Sequence, residues 1–105
     1  PTLEGLDEPS LVHRRSYVAW HEWGHALSFD RIEEEDIVAG VRYAGLLPKG
    51  FVRYERYRRR EYTHEIVADI YAMLMVRRRK GKTGRPPWLH PEVYELMRRA
   101  VGWIH

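Results

Sequence analysis

The sequence predicts a small, mainly α-helical domain built around two long helices. Its 105 residues suit one domain, 1–105, and leave no room for a second. Proline is absent between Pro9 and Pro48, and from there up to Asp30 the only glycine is Gly24. Arg58 to Lys80 contains neither glycine nor proline, so two stretches long enough for several helical turns lack breakers.

Taken in order, Pro1–Glu8 reads as irregular, with Asp7 a cap candidate ahead of Pro9, a residue tolerated in a first helical turn. The first helix follows, with Leu11, Val18, His21, Glu22, His25 and Phe29 spaced to share one face. The acidic cluster Glu33–Asp36 suits the start of a helix running towards Leu47 and stopped by Pro48. Gly40 and Gly45 weaken that helix, and a short β-hairpin around 41–57, with strands at Val41–Leu46 and Phe51–Tyr57, is the alternative.

Arg58 to Lys80 is the second long helix. Glu61, Glu65, Ala68, Asp69, Ala72 and Val76 fall on one stripe, and Ile66, Ile70 and Met73 on an adjacent apolar one, so more than one side should be buried. The basic turn Arg77–Lys80 suits the negative end of the helix dipole, and Gly81 and Gly84 close the helix. After the extended Pro86-Pro87, a last helix starts near Pro91 and runs to about Trp103, with Val93, Leu96, Met97 and Ala100 facing inward.

Composition narrows the function classes. Hydrophobic residues at 44% and charged residues at 31% describe a globular chain rather than a disordered one. No apolar run approaches 18 residues, so no membrane span is expected. The absence of cysteine removes disulfides, thiolate metal sites and thiol nucleophiles, and fits a reducing, cytoplasmic location. The chain starts at Pro1 rather than Met, as a processed chain or a piece of a longer one would.

The chemistry is concentrated in His21-Glu22-Trp23-Gly24-His25, an HExxH sequence. Histidines four apart project from one helical face about one turn apart, so both imidazoles can bind one Zn²⁺. Glu22 beside them would reach a zinc-bound water rather than the zinc, and serve as general base. Three fixed positions do occur by chance as polar helix surface. Here the apolar Val18, Ala19, Ala26, Leu27 and Phe29 surround the motif, and a buried His-Glu-His cluster without a ligand would be costly.

A catalytic zinc needs a third protein ligand. The longer HExxHxxGxxH pattern fails, because Ser28 and Arg31 occupy its last two places. The ligand must come from further along, and the candidates are Glu61, His64, Glu65, Asp69 and His90. Glu65 stands out, since Ala68 and Ala72 on its stripe would let another helix approach closely. Asp69, one turn on, is placed to hydrogen-bond the other nitrogen of a histidine ligand.

HExxH, followed 40 residues after His25 by Glu65-Ile66-Val67-Ala68-Asp69, resembles the gluzincin pattern. It is similar to the minimal gluzincins related to CAAX prenyl proteases and to ImmA/IrrE-type peptidases. The resemblance covers about Val18–Val76. It implies a zincin-like domain whose third zinc ligand is Glu65, and a peptidase acting on a protein or peptide. Those groups place a small sheet before or between the two helices, whereas only a short stretch precedes the first helix here.

His64, Tyr54, Tyr57, Tyr62 and Arg14 are candidates by type for stabilising the oxyanion of such a reaction, each with an ordinary reading as packing or surface. His64 is turned about 100° from Glu65 around the helix. The runs Arg58–Arg60 and Arg77–Lys80, with Lys82 and Arg85, raise the net charge to +3, carried by 15 Arg and 3 Lys. They read first as a solvated face, and second as a nucleic-acid or acidic-protein patch. Trp23 is expected to pack against a neighbouring helix, and Trp103 could fold over the cleft.

Overall fold

The computed structural model describes the backbone of residues 11–48 and 59–102, and side chains from 17 to 48 and 61 to 102. Five helices appear, α1 (Leu11–Ser28), α2 (Glu34–Val38), α3 (Gly40–Gly45), α4 (Arg59–Arg79) and α5 (Pro91–Val101). Among the described residues there is no strand. The mainly helical class and the three longer helices therefore agree with the sequence reading. The β-hairpin alternative does not hold over Val41–Leu46, where α3 runs to Gly45 and Leu46 caps it; its second strand, Phe51–Tyr57, lies outside the described residues.

The middle segment is a helix broken once rather than a hairpin. Glu33 is the N-cap of α2 in extended backbone, and its amide donates to Asp36 Oδ2 at 3.1 Å. Acidic Glu34, Glu35 and Asp36 fill the first turn, where the helix dipole favours them. At Ala39 the chain bends, and α3 restarts from the buried Gly40.

The α4 helix is the axis of the core. Ile66, Ile70, Met73 and Val76 are fully buried, each contributing about 1.5–3 kcal/mol relative to exposure. On another side Ala68 and Ala72 are also fully buried. The α5 helix turns Val93, Leu96, Met97 and Ala100 inward, as its spacing predicts. Its start is capped by His90, whose Nδ1 accepts the Glu92 amide at 3.1 Å, with Pro91 in the first turn. Gly81 after α4 and Gly102 after α5 adopt positive φ of 80° and 87°, a conformation glycine takes without a Cβ penalty, and Gly84 does so in the bend that follows.

A buried polar cross-link joins the short helices to this core. Asp36 is 2% exposed, and Arg99 of α5 clamps its two carboxylate oxygens at 2.9 and 3.1 Å. The Tyr43 hydroxyl donates to Oδ1 at 3.3 Å, and the Asp36 carbonyl accepts Thr63 Oγ1 of α4 at 2.7 Å. Burial alone would raise the Asp36 pKa. The Arg99 guanidinium, the Glu33 amide and the Tyr43 hydroxyl overcome that and hold it below its ordinary value.

Two outcomes follow. Asp36→Asn should lower stability by roughly 1–3 kcal/mol, because water screens the half-exposed Arg99 but the Asp36 side is buried. A folded pKa below the unfolded one means the ionised carboxylate stabilises the fold above the ordinary value of 3.8. That contribution disappears as pH falls through the lowered folded value. Denaturant titrations of wild type and Asp36→Asn should therefore differ at neutral pH and converge in acid.

Candidate metal centre

The HExxH histidines lie on the side of α1 that meets α4. The described inward residues of α1 are Tyr17, Trp20, His21, Gly24, Leu27 and Ser28, with His25 half-buried beside them. Gly24 and Ser28 are buried, and the Ser28 hydroxyl donates to the Gly24 carbonyl at 2.8 Å. A Cβ built on Gly24 would lie 3.2 Å from Ala68 Cα and 3.0 Å from Tyr71 Cδ1. The two helix backbones thus approach through a glycine on one side and an alanine on the other. Trp20 packs edge-on to Tyr71 at 6.4 Å beside this crossing.

Of the five apolar residues around the motif only Leu27 turns inward; Val18 is 60% exposed and Phe29 78%, and Ala19 and Ala26 are exposed too, so they do not enclose it as the sequence suggested. The inward face is instead rotated towards Tyr17, Gly24 and Ser28, because small residues permit the close helix contact. Trp23, expected to pack against a neighbouring helix, is 55% exposed and lines a shallow cleft of about 260 Å³ with Ala19, Trp20 and Arg79 of α4.

Across this contact three predicted side chains converge. Glu65 Oε2 lies 3.3 Å from His21 Nε2, and Glu65 Oε1 lies 3.1 Å from His25 Nε2. The two Nε2 atoms are 3.2 Å apart. His21, His25 and Glu65 form a group whose donor atoms could hold one metal ion. The fit can be tested on distance. Ligands about 2.0–2.1 Å from a tetrahedral zinc are about 3.3 Å from one another; the two histidine nitrogens stand at 3.2 Å, and one donor atom from each of the three residues lies within 4.8 Å of the others. The donor set, two imidazoles and a carboxylate, is one that zinc accepts. The ligands are half-buried, with side-chain exposures of 18%, 30% and 20% for His21, His25 and Glu65, so one side stays open to solvent.

Asp69 takes its predicted supporting place. Its Oδ1 accepts the Nδ1–H of His21 at 2.7 Å, which turns the Nε2 of that ring towards Glu65 and His25. The Asp69 hydrogen bond raises the His21 pKa above its ordinary value, against the effect of burial, and the negative charges of Asp69, Glu65 and Glu22 add to the rise. Tyr17, absent from the sequence candidates, donates its hydroxyl to the same Asp69 oxygen at 3.2 Å. Its only sequence signal is its position one turn before His21.

The other candidates separate. Glu22 is exposed beside His21 and outside the donor group. His64 is half-buried and outside the group, though near enough that its pKa is lowered by burial and by His25, with Glu65 opposing. Glu61 is exposed and outside the group, and His90 serves as the α5 cap. Tyr62 packs on the core. Tyr54 and Tyr57, the side chain of Arg14, the run Arg58–Arg60 and Trp103 lie outside the described residues or side chains.

Comparison with protein-family models, curated proteins and solved structures finds no match. No described helix is long and apolar enough to cross a membrane.

Gly24→Val should push α1 from α4 at its tightest point, since Ala68 Cα belongs to the backbone and cannot rotate away. A stability loss of about 1–3 kcal/mol is expected in thermal or denaturant unfolding, whereas Gly45→Ala, with nothing near its Cβ, should not destabilise.

Proposed function

We propose that this chain is a gluzincin-type zinc metallopeptidase domain, cytoplasmic, that hydrolyses peptide bonds in a protein or peptide. The observation that carries the reading is the convergence of His21, His25 and Glu65 at 3.1–3.3 Å, with Asp69 behind His21. HExxH supplies two of these ligands, and Glu65 comes from a helix 40 residues further on, which is the spacing that the gluzincin resemblance rests on.

In this reading His21, His25 and Glu65 hold the zinc and leave its solvent side for water and substrate. The zinc would acidify a water and polarise the scissile carbonyl. Asp69 keeps the proton of His21 on Nδ1, so that Nε2 offers its lone pair. Glu22, exposed next to His21, takes the proton released from the attacking water and returns it to the departing amine. His64, whose pKa responds to His25 and Glu65, is a candidate donor to the oxyanion.

A second reading, a zincin-like core acting as a basic module that binds nucleic acid or an acidic protein, draws on exposed Arg78, Arg79 and Lys80 and on Trp23 beside Arg79. Oligonucleotide binding that weakens with salt and with Arg79→Ala would favour it.

The peptidase reading is tested with Glu22→Gln. Zinc should remain bound while cleavage of an unstructured protein falls by at least about 100-fold, the scale of a lost general base. Cleavage unchanged by Glu22→Gln would remove that residue from the chemistry. Glu65→Ala should weaken zinc binding strongly, and an unaltered affinity would move the third ligand elsewhere. Zinc must displace a proton from His21, whose pKa lies above the ordinary 6.5, so affinity should begin to fall at a higher pH than an unperturbed histidine would give.

A further inference from the structure

We propose that Tyr17 is a positioning residue for the metal centre, acting through Asp69 to fix the orientation and tautomer of His21; the proposal rests on the zinc reading above. Tyr17 precedes His21 by four residues on α1, so the two side chains rise on one face, one turn apart. Both reach across to α4 and meet at a single atom. Asp69 Oδ1 accepts the Tyr17 hydroxyl at 3.2 Å and the His21 Nδ1–H at 2.7 Å.

A carboxylate held by one partner can rotate about its side-chain torsions and follow that partner. A further hydrogen bond narrows that freedom, and Asp69 remains partly exposed, with a side-chain exposure of 27%, so packing alone does not fix it. The phenol adds such a bond on the oxygen that His21 uses. Tyr17 hydroxyl, Asp69 carboxylate and His21 imidazole form a chain that ends at Nε2, 3.2–3.3 Å from the other two ligand positions. An ionised carboxylate can only accept, so Tyr17 and His21 both donate to Asp69, which places the ring proton on Nδ1 and leaves Nε2 for the metal. Supporting groups of this kind typically change metal affinity by 10–100-fold when they touch the ligand directly, and one step further out the effect should be smaller.

The experiment compares wild type, Tyr17→Phe, Asp69→Ala and the double variant by Zn²⁺ competition against a chromophoric chelator. Tyr17→Phe keeps the ring that packs on the core and removes only the hydroxyl. Its zinc affinity should fall about 3–10-fold. In the Asp69→Ala background the same substitution should have no further effect, because the route to His21 is gone. Side-chain ¹⁵N spectra of the metal-free protein, recorded well above the histidine titration range, should show His21 losing its Nδ1–H preference in Tyr17→Phe. A purely structural role would lower the melting temperature without altering the tautomer.

Wild type that binds zinc, with Tyr17→Phe unchanged, overturns the role of Tyr17 and leaves the zinc reading standing. Losses that add fully in the double variant overturn it too, since Tyr17 would then act by another route. Wild type that binds no zinc overturns both, and is seen in the first titration before any variant is compared.

Discussion

The candidate centre depends on how closely α1 can approach α4. Two imidazoles on one helix and a carboxylate on another reach a common point only if the axes are near each other at that level. Gly24 sits between His21 and His25, and Ala68 between Glu65 and Asp69, and these small residues make the contact. The glycine weakens α1 by about 1 kcal/mol relative to alanine. In return His21 and His25, on either side of Gly24, stand 3.3 and 3.1 Å from Glu65 across the interface.

That contact is held in place by elements that carry no candidate chemistry. The α4 helix is buried on more than one side, with Ile66, Ile70 and Met73 in the core, so it cannot shift within the bundle without disturbing that core. Asp36 anchors α2 against Arg99 of α5 and Thr63 of α4. Thr63 lies two residues before Glu65, which couples this polar cross-link to the start of the site. The polar residues are thus divided between a structural cluster around Asp36 and a half-exposed cluster around His21.

Much of this was legible in sequence because it follows local periodicity. The inward residues of α5, the apolar stripe of α4, the ends at Gly81 and Pro91, and the pairing of His21 with His25 come from helical spacing, whereas Glu65 and Asp69 were singled out by their small-residue stripe and by the gluzincin resemblance. What was not legible depends on which side of a helix its partner chooses. Val18 and Phe29 share a face with His21 and His25 by spacing, yet they are exposed because the Gly24 contact rotates α1. Trp23 looked like packing material for the same reason. Asp36 read as one more charge at a helix start, since its partner Arg99 is 63 residues away. Tyr17 carried no signal until Asp69 was placed opposite it.

The central claim is that the His21, His25 and Glu65 cluster is a metal site. The most direct test is metal content per chain, by mass spectrometry, of protein purified with no zinc added. About one zinc per chain is predicted, because three protein ligands define one site. Metal-free protein whose melting temperature does not rise on adding zinc would contradict the account, and would leave the cluster as a hydrogen-bonded junction between α1 and α4.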